Sequence, residues 1–277
     1  KPAACRLFPF VFQEMGGRTH VDVSFACKSV SEMSGALVEE NPAQLEALVK
    51  LLKEVPASPG YRLRNQQPVS DEALWEIERH LFEFLSDPEL SLFDRVRCCL
   101  EFLKLATTGD PGAATASEFR TYMAMGVRKR IPEKPVEGRL DRTQSAFFLT
   151  WLSMALNPVP ASVAEKAESA RTAERERALQ IGELYRERRG RPWVENREIG
   201  ATFEEVRGVD AGLFGDRGFE LPAVFFRAKI TGQRYLRFSN IDQPLTEGAP
   251  RLLFYFPMMI WGAKALAADR GAPAVGR

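Results

Sequence analysis

The stretch from Ser70 to Leu105, SDEALWEIERHLFEFLSDPELSLFDRVRCCLEFLKL, decides the fold class. Leu74, Ile77, Leu81, Phe84 and Leu85 recur at steps of three and four, so they line one face of a helix. Ser70 precedes that face as an N-cap. Asp71 and Glu72 put negative charge in the first turn, where the helix dipole favours it. Asp87-Pro88 ends the helix, because proline has no amide proton and pushes its predecessor out of helical geometry. Ser91 then caps a second helix with Leu92, Val96, Cys99, Leu100 and Leu103 on its face. Two apolar stripes joined by a short connection predict a mainly α protein.

Outward from this pair, helical patterns dominate. Pro42 to Glu54 carries Leu45, Leu48, Val49 and Leu52 on a stripe, and Val55 to Val69 is a proline-rich connection. Ala116 to Ile131 and Gln144 to Leu156 are amphipathic, and the charged, proline-rich segment between them is expected to be solvated. Ala161 to Arg189 is long and polar. Its thin stripe, with Val163, Ala167, Ile181, Leu184 and Tyr185, places it on the surface. Ala223 to Phe226 and Tyr235 to Phe238 fit short strands or short helical pieces, and Gly212, Gly215 and Gly218 read as a loop.

The run Leu252 to Ala268, LLFYFPMMIWGAKALAA, is apolar on nearly every side. It is shorter than the ~20 residues of a spanning helix, and it holds Pro257 and Lys264. No transmembrane span is expected. The run reads as a core helix packed on the Ser70 and Ser91 helices, with a membrane anchor as the alternative. Asp269 to Arg277 is expected to fray.

Lys plus Arg is 38 and Asp plus Glu is 37, for a net charge of +1. That balance gives no basis for nucleic-acid binding. The sequence shows no secretory signal, which predicts a cytoplasmic protein. It contains no phosphate-binding glycine loop and no nucleophile signature, so catalytic residues are unassigned. The two histidines, His20 and His80, are expected to face solvent on the polar sides of their elements. Cys98-Cys99 is expected to be core, since adjacent helical positions chelate one ion poorly.

Near the start, Phe8, Phe10 and Phe12 alternate before Gly16-Gly17, and Val21, Val23 and Phe25 alternate after it. This predicts a hairpin in which facing residues sum to 33: Phe12 with Val21, Phe10 with Val23, Phe8 with Phe25. Pro9 belongs at an edge or strand end. Cys5 and Cys27 flank the open end, one step off that register. Two thiols there could hold a metal, form a disulfide, or be small buried apolar groups, and spacing alone leaves these open.

The opening Lys1-Pro2-Ala3-Ala4-Cys5-Arg6-Leu7-Phe8-Pro9-Phe10, followed by Ser24-Phe25-Ala26-Cys27, resembles bacterial YkgJ-type cysteine-cluster proteins. These are a zinc- or iron-chelating family related to flagellin lysine-N-methylases. The resemblance implies Cys5 and Cys27 as metal ligands, a zinc or iron–sulfur cofactor, and residues 1–40 as the C-terminal part of the metal module. Residues 41–277 would then be a helical domain. In that family the other cysteines, including an adjacent pair, lie upstream, so the 277 residues would be a fragment that binds metal weakly. The methylase kinship implies a protein substrate and methyl transfer to lysine. The alternative is a non-catalytic helical binding module stapled by the metal.

Overall fold

Ser70 Oγ accepts the Ala73 amide at 3.2 Å and starts a helix over Asp71–Ser86. Ser91 Oγ likewise accepts the Asp94 amide at 3.2 Å ahead of the helix Leu92–Thr108. The computed structural model describes residues 7–15, 18–25, 27–34, 40–50, 62, 68–108, 121, 124–127, 129, 141–157, 168–215, 220–238, 241–242 and 244–275. In chain order its elements begin with β1 (Phe10–Met15), β2 (Arg18–Val23), α1 (Lys28–Ser31), α2 (Pro42–Val49), α3 (Asp71–Ser86) and α4 (Leu92–Thr108). α5 (Arg142–Leu156), α6 (Glu168–Glu187), β3 (Trp193–Val194), β4 (Arg197–Glu198) and α7 (Phe203–Gly208) follow. The last are α8 (Leu221–Thr231), β5 (Arg237–Phe238), β6 (Ile241–Asp242), α9 (Leu245–Leu253) and α10 (Tyr255–Asp269). The protein is mainly helical, with the expected small N-terminal hairpin.

The chain divides into two compact units, Lys1–Ile131 with Arg217–Phe254, and Pro132–Asp216 with Tyr255–Arg277. In the first, α3 and α4 pack face to face, α8 covers α3, α9 covers α4, and β2 lies against α8. The stripe Leu74, Ile77, Leu81, Phe84 and Leu85 is buried throughout. On α4 the expected stripe needs one correction. Leu100 is 40% exposed, while Cys98 and Phe102 are fully buried, because α9 covers the side of α4 next to the one α3 covers.

In the second unit α10 packs on α5, α7 and β3. Ala265 joins Val194, Ile199, Ala201 and Val206 in its core, with Trp261 and Leu266 against them. The C-terminal apolar run is therefore not one helix on α3 and α4. It breaks at Phe254 into α9, which serves the first unit, and α10, which serves the second. Pro257 explains where α10 begins, since a first-turn position needs no amide donor. Ala223 to Phe226 is helical, within α8, whereas Tyr235 to Phe238 is a single 3₁₀ turn running into β5. α6 keeps the expected surface character, burying Ile181 and Tyr185.

The C-terminal segment does not fray through residue 275. The Asp210 amide donates to Pro273 O at 2.9 Å, and the Val275 amide donates to Asp210 O at 3.1 Å. Gly212 permits this close crossing: its φ is +54°, and a Cβ there would stand 2.3 Å from Val275 O.

Candidate functional site

The hairpin forms in the register read from sequence, with Phe10 facing Val23 and Phe12 facing Val21. Its Gly16-Gly17 turn lies outside the described residues. The ladder continues one step beyond the strands, where the Ser24 amide donates to Pro9 O at 2.8 Å. The apolar face does not reach the third expected pair. Phe8 is 53% exposed, and the Phe25 ring turns to meet Phe225 edge-on at 5.1 Å.

Beyond Ser24 the chain turns. The Cys27 amide donates to Ser24 O at 3.1 Å, and Cys27 stands in extended conformation as the N-cap residue of α1. Its thiol is free and half-buried. Cys5 lies outside the described residues. Cys98 and Cys99 are fully buried, as expected for core positions. The Cys99 thiol points at Leu81 O at 3.7 Å, and burial pushes its pKa well above the usual thiol value, so it stays protonated. Among the described residues no group of three or more His, Cys, Asp or Glu is placed to hold a metal ion.

Neither histidine is simply exposed. His20 is half-buried, with Nδ1 3.3 Å from Thr231 O at the end of α8. His80 is 2% exposed; its ring packs edge-on against Phe102 at 5.2 Å, and its Nδ1 lies 3.1 Å from Glu83 Oε2. Burial and the Arg79 guanidinium lower its pKa, so it is neutral at pH 7. Its signal was present in the sequence, three residues after Ile77 and four before Phe84, on the edge of the apolar stripe.

Sequence reasoning missed the polar cluster behind the hairpin. Glu78, on α3, accepts the Tyr235 hydroxyl at 2.7 Å and the Gln233 amide at 3.2 Å. Burial raises its pKa to about 7, against the lowering effect of these two donors. Gln233 is fully buried in the left-handed region, with φ of +53°. Beside it, Lys229 Nζ lies 3.0 and 2.9 Å from the two carboxylate oxygens of Asp22. Arg18 stacks on the Trp75 ring at 3.7 Å. The hairpin is thus tied to α3 and α8 by polar as well as apolar contacts.

A carboxyl that exchanges its proton near neutrality is also a titrating element of stability. Between pH 4.5 and about 7 folded Glu78 keeps a proton that the unfolded chain has released. Its contribution is therefore complete below pH 4.5 and lost as pH rises through 7. The urea midpoint of wild type is expected to fall over that window relative to Glu78→Gln. Midpoints that run parallel from pH 4.5 to 8 would show an ordinary carboxyl.

Two cavities are lined by described residues. One, of about 600 Å³, is lined by Asp141, Arg142 and Ser145 at the start of α5 and by Glu183 and Arg188 at the end of α6. Its charges alternate in sign. The other, of about 440 Å³, is an apolar groove between Thr19 and Val21 of β2 and Leu45 and Val49 of α2. No helix among the described residues is long and apolar enough to cross a membrane. Comparison with protein-family models, with curated proteins and with solved structures finds no match.

Proposed function

We propose that this is a metal-binding protein of the cysteine-cluster kind, with Cys5 and Cys27 as two ligands of a zinc or iron–sulfur centre. The observation that supports the reading is the hairpin register, which continues through the Ser24 amide to Pro9 O, three residues before Cys27. The donor chemistry fits in part. Cys27 offers a free, half-buried thiol, and thiolates select zinc or iron–sulfur over magnesium or calcium. A closed site takes four ligands, so the remaining donors come from outside the described residues. The helical units serve as its scaffold. The resemblance to methylases adds a protein partner and lysine methylation; the alternative function is a non-catalytic module stapled by the metal.

The test is cobalt titration of the reduced, anaerobic 277-residue chain, followed by thiolate-to-metal absorbance. Wild type is expected to bind weakly. Cys5→Ser and Cys27→Ser are each expected to weaken binding by more than about tenfold, the loss that even an indirect partner's removal causes. Binding untouched by both substitutions would remove the proposal.

A further inference from the structure

We propose that the edge of β2 beside α2 docks an extended, apolar segment of a partner protein, which adds to the hairpin as a third strand. The Ser24 amide donates to Pro9 O, so residues 9 and 24 form a hydrogen-bonded rung. Such rungs alternate with non-bonded ones along an antiparallel ladder. Phe12 with Val21 and Glu14 with Thr19 are therefore rungs of the other kind, and the amides and carbonyls of Thr19 and Val21 point away from β1. Val23 obeys the same rule: its carbonyl points outward and accepts Lys229 Nζ at 2.8 Å. The hairpin is a two-stranded sheet, and among the described residues no other element takes up the main-chain groups of Thr19 and Val21. An open edge of this kind is a template for strand addition.

Edge and groove coincide. Thr19 and Val21 also line the apolar groove of about 440 Å³ whose far wall is Leu45 and Val49 of α2. No residue of α2 is buried, so its own apolar side is short of cover. Three features select the occupant. Open main-chain groups two residues apart match the alternate groups of an extended chain, whereas a helix has spent its own on internal bonds and an acyl chain has none. The apolar walls require apolar side chains at every second position of that strand. On the rim, Glu46 and Lys50 are exposed and carry charges that offset each other, so a neutral segment complements the groove better than a polyanion or a polycation.

The probe is a fluorescein-labelled Thr-Val-Thr-Val-Thr-Val-Thr peptide, titrated into the full chain and followed by anisotropy and amide exchange. Saturable binding below about 1 mM is expected. Exchange is expected to slow at the Thr19 and Val21 amides and to stay unchanged at His20, whose amide faces β1. Methylating alternate peptide amides is expected to weaken binding by about tenfold or more in one phase and little in the other, because a strand turns every second amide toward its neighbour. Leu45→Glu, at a half-buried position, is expected to melt near wild type and to weaken binding by about tenfold, since it puts a charge into the apolar groove. Should that variant not fold, the methylated peptides decide, because they leave the protein untouched. No saturable binding, equal losses in both methylation phases, or unchanged exchange at Thr19 and Val21 overturns the proposal. Protection of those two amides that grows with chain concentration, without peptide, assigns the edge to a second copy and overturns it as well.

Discussion

Replacing Phe102 by alanine is expected to destabilise the first unit by roughly 3–5 kcal/mol. Phe102 is fully buried on α4. Its ring meets His80 edge-on at 5.2 Å and lies 5.8 Å from Phe84, so one side chain joins α4 to two turns of α3. Removing the ring forfeits its transfer from water and leaves a void that two helices held by many other contacts cannot close. The loss is a fifth or more of the ~5–15 kcal/mol that stabilises a typical domain. Urea unfolding followed by far-UV circular dichroism measures it. Phe102→Leu, which fills most of the void, is expected to lose about half as much or less. A loss under about 1 kcal/mol for alanine would mean that the α3–α4 interface is not the core of this unit.

Arg95→Ala is expected to cost about 3–5 kcal/mol, although it removes a charged residue. Arg95 is 1% exposed. It donates to Leu85 O at 3.2 Å, to Leu90 O at 3.0 Å and to Glu220 at 2.8 Å, closing the α3–α4 connection and reaching the start of α8. Without it the Leu85 and Leu90 carbonyls lose their donor, and such orphaned buried groups carry the full desolvation penalty. Lysine cannot replace the planar fork that spans three acceptors, so Arg95→Lys is expected to recover less than half of the loss. Full recovery by lysine would show that charge alone, and not the fork, is what the site requires.

Local chemistry was legible in the sequence. Ser70 and Ser91 announce their helices because capping is settled within a turn, and the Phe10–Val23 register follows from a two-residue turn. Pairings across the chain were not. Arg95 finds Glu220 over a separation of 125 residues and Asp22 finds Lys229 over 207, and no pattern in either segment names the other. Each such residue looks like an ordinary surface charge until its partner buries it. The β3–β4 hairpin was missed for a different reason. Its turn uses Glu195 and Asn196, both at positive φ, where the usual glycine signal is absent. The candidate site was legible only as two cysteines and a turn; the cluster of Glu78, Gln233 and Tyr235 behind it was not, because its donors arrive from beyond α8.

The interleaving of the two units has a consequence for synthesis on the ribosome. The chain makes α3 and α4, then writes residues 132–216 of the other unit, and only afterwards supplies the α8 and α9 that cover them. At ~5–20 residues per second that detour lasts about 4–17 seconds. Throughout it α3 and α4 are without the α8 and α9 they pack against in the folded unit. The second unit waits in turn for α10. Neither unit is therefore complete before residues 217–269 have been made.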